Sequence, residues 1–307
     1  MHSHVSLHRN DGRHTRSASS AYWKSGPGQG VSIAGMKNPE AIEVWAPSLP
    51  PVRPVLHEGG VPVLKILEVC SGCHSVSAAA KKEAIENFGF ARVEVFSVDG
   101  KPGTGATRVA DVLTYDWERD EELRTFAEEE EGTTCIRYAH ASPPCGPFSS
   151  MASRYLGGLE RRDLRWGDSV AQRCLDLMAF FQPHYWTIES RGPPGLDTRA
   201  FMTSLEPLRA TVTYCRYGWE RRKATSIWTN VRTWRPEPKC TPNDCCEHFR
   251  EHGEHRDGVQ HAKHNAPAFA ALPPQLVRSW MQAGLSELLP HIVEAGGSEV
   301  GASLDLD

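Results

Sequence analysis

The chain has 307 residues, 39% apolar and 23% charged, an ordinary globular balance with room for one large α/β domain or one domain with a small appendage. A formal net charge of -4 excludes a global basic field, so any nucleic-acid contact must come from a local basic strip. No apolar run approaches the roughly 20 residues that span a bilayer, and nine cysteines, an odd count without small-scaffold spacing, read as reduced intracellular thiols rather than a disulfide framework.

Residues 1–60 are rich in Ser, Gly, His and Pro and show no apolar period. Their first half sets Arg9, Arg13, Arg16 and Lys24 against one acid, Asp11. An Arg/Ser-rich, acid-poor start fits a disordered tail or an organelle targeting segment. From Val61 the text becomes regular. Val63–Val69 is a short apolar run of strand length, and a helix is expected from Ser75, as its cap, to Phe88, closed by Gly89. Val93–Val98 reads as a second strand and Thr107–Val112 as a third. Asp116–Glu131 reads as an acidic helix, and Cys135–Ala141 as a strand that stops at a Pro pair.

Further on, Gly167–Phe181 is amphipathic, with Val170, Cys174, Leu177 and Met178 near one face. Tyr185–Ile188 is another strand and Thr198–Leu208 is expected to be helical. Thr211–Arg216 and Ser226–Thr229 are two late strands with no helix between them. Residues 236–270 form a polar Cys/His-rich element, and Pro274–Leu288 is a terminal helix before the tail. Strands alternating with helices imply a doubly wound, mostly parallel sheet with one antiparallel edge element. In such sheets ligands bind beyond the carboxyl ends of the strands, and the chemistry-bearing residues of 61–235 follow strands.

Glu68-Val69-Cys70-Ser71-Gly72 runs from a strand into a small-residue turn before a helix, where a ligand can approach backbone. Asp99 ends the second strand, where a carboxylate can accept from both hydroxyls of a ribose. Asp111 follows the third and can meet an adenine amino group. Ser142-Pro143-Pro144-Cys145 fixes an extended path that presents a thiol at the sheet rim. Glu189 follows the next apolar strand on the same rim, as a candidate to share a proton with a ring nitrogen. Arg221, Arg222 and Lys223 lie between the two late strands, suited to a phosphate or a carbonyl oxygen.

In this order the segments resemble the C5-cytosine methyltransferase family, nearest its compact phage and viral forms, from about Leu64 to Asn230. The resemblance implies a class I methyltransferase fold and S-adenosyl-L-methionine (AdoMet) held by Glu68, Cys70, Ser71, Gly72, Asp99, Asp111 and Pro144. It implies catalysis by Cys145, Glu189, Arg222 and Lys223. Cys145 would attack C6 of a flipped cytosine, C5 would take the methyl, and a base would remove the C5 proton. DNA is the implied polymer, with RNA an alternative, and an AdoMet- or nucleic-acid-binding protein without turnover another. No membrane partner is implied, an intracellular site (nucleus or organelle) is expected, and the oligomeric state is not legible.

The sequence also departs from the family pattern. Gly72-Cys73-His74-Ser75 replaces a Gly-rich turn, Ser190 stands where Asn is usual, and Gln-x-Arg-x-Arg is not intact. Little chain follows Asn230, which leaves small room for a target-recognition domain. Within that stretch Cys240, Cys245, Cys246 and His248 are candidate ligands of a structural zinc, with His252, His255, His261 and His264 nearby. Such a centre would stiffen a small recognition element beside Arg250, Arg256 and Lys263.

Overall fold

The computed structural model describes residues 61–128, 133–148, 163–255 and 271–295, with side chains of the last helix to residue 288. The N-terminal segment, Ser149, Arg256, His261, Lys263, His264 and the C-terminal tail lie outside these residues.

Among the described residues, seven strands form one sheet in the order β3-β2-β1-β4-β5-β7-β6. They are β1 (Val61–Val69), β2 (Arg92–Asp99), β3 (Arg108–Val109), β4 (Thr133–Ala141), β5 (Tyr185–Arg191), β6 (Arg209–Thr213) and β7 (Ala224–Thr229). The first five run parallel, and β7 is antiparallel to both β5 and β6. The expected antiparallel edge element is thus present, made by the late strand pair.

The helices are α1 (Ser75–Phe88), α2 (Glu121–Ala127), α3 (Leu164–Phe181), α4 (Glu247–His252) and α5 (Pro274–Ala295). Side-chain alternation divides the core between the two sheet faces. Leu64 and Ile66 of β1 and Ile136 and Tyr138 of β4 pack with α1 and α5. Leu67 and Val69, with Ala139 and Ala141, pack with α3 on the other face. A parallel sheet covered on both sides needs near-continuous apolar strands, which is how β1 and β4 read.

Several boundaries differ from the sequence reading for local reasons. Ser75 does not cap α1: His74, in the left-handed region at φ 56°, is the N-cap residue, and Ser75 Oγ accepts from Leu272 N at 3.1 Å instead. Gly89 does close α1, at φ 64°, with its N–H on Ala84 O. The third strand is cut to two residues because Asp111 turns the chain, accepting from Leu113 N at 3.0 Å. The acidic helix begins only at Glu121, because Asp120 caps it by accepting from Leu123 N at 3.1 Å; residues 129–132 are outside the described chain.

Residues expected to form a helix before β6 make 3-10 turns at Leu196–Thr198 and Ala200–Leu208, the second holding Pro207, which has no N–H to donate. The strand expected to reach Arg216 ends at Thr213, and a 3-10 turn, Tyr214–Tyr217, takes over. Among the described residues no helix is long and apolar enough to cross a membrane.

Candidate functional site

The carboxyl ends of β1 to β5 share one edge of the sheet. The strand order reverses between β1 and β4, the kind of switch point beyond whose strand ends ligands bind in such sheets. The turn after β1 forms one wall. Cys70 (φ 55°), Gly72 (φ 53°) and His74 (φ 56°) all take left-handed backbone there, a conformation natural only to glycine. Ser71 N donates to Val98 O at 3.3 Å and Gly72 N to Asp99 Oδ2 at 2.8 Å, so the turn is stapled to the end of β2.

Asp99 is nearly buried and its other oxygen accepts from Lys101 N at 2.7 Å. Its two oxygens each hold a second lone pair for a ligand hydroxyl. Gly72 is exposed, and a Cβ placed on it would meet nothing within 4 Å, so the space above the turn is open. Ser71 Oγ and Glu68 Oε2 are buried polar atoms with no hydrogen-bond partner among the described residues, and Glu68 Oε2 sits 3.6 Å from His74 Nδ1. That contact raises the His74 pKa against the lowering effect of burial. Asp111 is exposed one turn away, just past β3. The Cys70 thiol lies 3.7 Å from that of Cys174 in α3.

The other wall is the turn after β4. Ser142 N donates to Val69 O at 3.1 Å, which continues the β1–β4 ladder into the Pro pair. Pro143 is buried, Pro144 half-buried and Cys145 exposed. Residues Gly146–Phe148 form a 3-10 turn against α3, at a point where helix and turn nearly touch. A Cβ on Gly167 would lie 2.7 Å from Pro147 Cβ. The backbone of the thiol turn is thereby fixed from both sides.

Beneath it runs a polar network that sequence reasoning missed. His140 joins Thr187 Oγ1 (2.7 Å) through Nδ1 and Ser142 Oγ (2.8 Å) through Nε2, and Tyr138 OH meets the same Thr187 hydroxyl at 2.6 Å. The Trp280 ring of α5 stacks over His140, with centroids 6.1 Å apart. Burial pushes the His140 pKa down to about 4, so the imidazole is neutral near pH 7. The available signal was polar residues inside two apolar strands, His140 in β4 and Thr187 in β5.

On β5, the Glu189 carboxylate is nearly buried. Its Oε1 accepts from Tyr214 OH at 3.1 Å and from Lys223 Nζ at 3.3 Å. Lys223 Nζ also lies 4.6 Å from the centre of the Tyr214 ring. Burial works to lower the Lys223 pKa, and the nearby Glu189, Tyr214 and Cys145 groups more than reverse it, so the ammonium is held charged. Crowding by the surrounding protein pushes the Cys145 thiol up, Lys223 pulls it down, Glu189 pushes it up and Arg191 pulls it down. Cys145, Glu189 and Lys223 therefore share one electrostatic neighbourhood at the rim.

Arg222 points elsewhere. It is exposed and acts on His255, whose pKa burial and this cation both lower. Of the expected zinc ligands, Cys240 and Cys246 come together, and Cys215 and His255 complete the group; their ligand atoms lie within 4.8 Å of one another. Cys245 and His248 stay outside it: Cys245 packs beside the cluster and the His248 ring lies against His252, centroids 4.4 Å apart. Cys215 was missed because it lies 25 residues from Cys240, beyond any local spacing rule.

A scan against protein-family models finds no match to this chain, and a search of curated proteins finds none either.

Proposed function

We propose that the chain is a DNA cytosine C5-methyltransferase in which Cys145 forms a covalent adduct with C6 of the target base. The observation that carries this reading is that Cys145, Glu189 and Lys223 interact with one another at the same sheet edge as the Ser71–Gly72 turn and Asp99. The antiparallel β7 answers to the edge element expected from the late strand pair, and a doubly wound sheet is compatible with this reading.

The first wall suits AdoMet. Its open face over Gly72, the unpartnered Ser71 hydroxyl and the spare lone pairs of Asp99 fit a ribose and an amino-acid moiety. Asp111 would meet an adenine amino group, and Glu68, Cys70 and Pro144 lie at the same sheet edge. When bound, AdoMet supplies an electrophilic methyl group on a sulfonium.

The chain's residues supply the activation. The Sγ of Cys145 adds to C6 and loses its proton, while the displaced ring electrons require a proton at N3. One proton leaves and one arrives, so Glu189 can relay it without net change. Lys223 and Tyr214 fix the Glu189 carboxylate in place, where it would meet the ring edge, and Lys223 favours the thiolate. With C5 methylated, a base takes the C5 proton and the C6–S bond breaks, and the N3 proton returns through Glu189 to regenerate the Cys145 thiol. Extruding the base costs about a few kcal/mol of unstacking, which the exposed Arg222 can help offset through a phosphate contact. The Cys/His group is a separate centre whose donors suit zinc.

The test incubates purified protein and Cys145→Ala with labelled AdoMet and duplex DNA or RNA, then repeats with 5-fluorocytosine substrates. The expected outcome is label on DNA cytosine, a trapped covalent adduct, and neither with the Ala variant. Label on RNA alone changes the polymer. Undiminished transfer by Cys145→Ala sinks the mechanism, and AdoMet binding without transfer to either polymer points to a binding protein.

A further inference from the structure

We infer that Cys215, Cys240, Cys246 and His255 hold one structural Zn²⁺, and that this centre clamps the turn that delivers Tyr214 and Lys223 to Glu189. The inference does not depend on methyl transfer. It rests on four ligand atoms drawn from separate segments into one small volume.

The donor set decides the ion. Three thiols and one imidazole, with no carboxylate among them, exclude hard cations such as Mg²⁺ and Ca²⁺ and suit Zn²⁺. The geometry agrees. With Zn–S about 2.3 Å and Zn–N about 2.0–2.1 Å, a tetrahedron has S···N edges of about 3.6 Å. His255 Nε2 lies 3.5 Å from Cys240 Sγ and 3.3 Å from Cys246 Sγ. Four protein donors leave no open position, which marks a structural rather than a catalytic ion.

The surroundings are those a thiolate centre needs. Cys240 Sγ accepts from Cys246 N at 3.3 Å, and Cys246 Sγ accepts from Phe249 N at 3.4 Å while capping α4. Such N–H···S contacts orient and stabilise charged sulfur. Three thiolates around a divalent ion carry one net negative charge, and two cations stand by. Arg222 acts on His255, and Arg216 on Cys240 and Cys246. Arg216 also donates to Asp244 O at 2.5 Å and Cys245 O at 3.1 Å, which ties the 240–246 loop to the 3-10 turn. Cys215, Cys240 and Cys246 are buried, so the ion would be shielded from exchange.

The centre is wired to the rim through adjacent residues. Cys215 follows Tyr214, whose hydroxyl donates to Glu189 and whose N–H donates to Lys223 O at 3.0 Å. An ion anchoring Cys215 to α4 therefore restrains both groups that grip the Glu189 carboxylate.

The test measures metal in the full chain by mass spectrometry after desalting. About one zinc per chain is expected. Cys215→Ser, Cys240→Ser and His255→Ala should each lose most of it, while Cys245→Ser, His248→Ala and Cys145→Ser keep it. Because a ligand variant can misfold, the wild-type chain is also stripped with chelator and refilled with Co²⁺, which should give thiolate charge-transfer and tetrahedral d–d bands. A zinc-free wild type without the cobalt spectrum, full zinc in Cys240→Ser or His255→Ala, or a disulfide among the three cysteines overturns the centre. Hydrogen exchange reads the clamp: amides of 214–223 should exchange at least about tenfold faster in stripped protein. Unchanged exchange there overturns the clamp, whether or not methyl transfer is ever observed.

Discussion

Replacing Lys223 by Met removes the cation from a carboxylate that has little water to turn to. The Glu189 side chain is 8% exposed and that of Lys223 21%. An exposed pair is worth about 0–1 kcal/mol, whereas breaking a buried one costs about 3–5 kcal/mol. This pair lies between, and Tyr214 OH still serves the carboxylate after the change. A loss of about 2 kcal/mol is expected for Lys223→Met, or about 4–8 °C in Tm for a domain of this size. Glu189→Gln should cost less, since the Lys223 head can reach water. The double variant leaves no charge stranded, so it should be more stable than the sum of the single losses, with a coupling of about 2 kcal/mol. Thermal and urea unfolding of the four proteins give the cycle. A raised lysine pKa contributes stability that is fully present below the unfolded value of about 10.4 and is lost as pH rises through the folded one. The Lys223 pKa is raised, so the coupling should be flat from pH 6 to 9 and shrink only above about 10.4. Single losses that add to the double within about 0.5 kcal/mol would refute the reasoning.

The same charges should set the reactivity of Cys145. Its alkylation by iodoacetamide, followed by mass spectrometry, should rise with pH around a midpoint above the ordinary thiol range, as crowding by the protein holds the proton on. Lys223→Met should move that midpoint further alkaline and Glu189→Gln should move it back; a midpoint indifferent to both denies the contact. Two buried imidazoles make an acid prediction. Burial lowers His140 to about 4 and His184 to about 3, while the unfolded chain protonates both at about 6.5. The unfolded state binds protons that the native state refuses, so stability falls as pH drops from about 6.5 toward 4, at about 2.5 kcal/mol per pH unit near pH 5. His184→Gln should halve that slope in urea titrations, and an unchanged slope would count against its burial as the cause.

What was legible in the sequence was what repeats locally. The apolar runs of β1, β2, β4 and β5 and the amphipathic period of α3 are written in consecutive residues, and the structure has them within a few positions. The rim residues were legible for a related reason: each lies at or just past the carboxyl end of a strand, so parallel topology alone gathers them at one edge. Adjacency in the sequence pairs Arg222 with Lys223, yet neighbours on an irregular segment can face opposite ways. Lys223 turns in to Glu189 and Arg222 out to His255. The Cys/His ligands were only half legible, because folding selects among donors by three-dimensional reach. Density along the chain favoured Cys245 and His248, while the 3-10 turn after β6 brought Cys215 to Cys240 and Cys246.

The turn after β1 shows how far a departure from a motif can be read as a loss. His74 stands where a glycine-rich turn is expected, and its φ of 56° is a conformation that costs a residue with a Cβ roughly 1–2 kcal/mol. The structure supplies partners that offset the cost. Nδ1 lies 3.6 Å from the buried Glu68 carboxylate and Nε2 3.0 Å from Thr104 O. The left-handed residues at 70, 72 and 74 still return the chain tightly enough for Gly72 N to reach Asp99. The side chain changes what the turn carries more than where it runs: a titratable imidazole, its pKa raised by this contact, now stands beside the buried Glu68. Glycine at 74 would free the backbone and strand that carboxylate in the same stroke, since removing one partner of a buried charge costs more than the contact itself contributes. The altered motif is thus a coupled pair, Glu68 with His74.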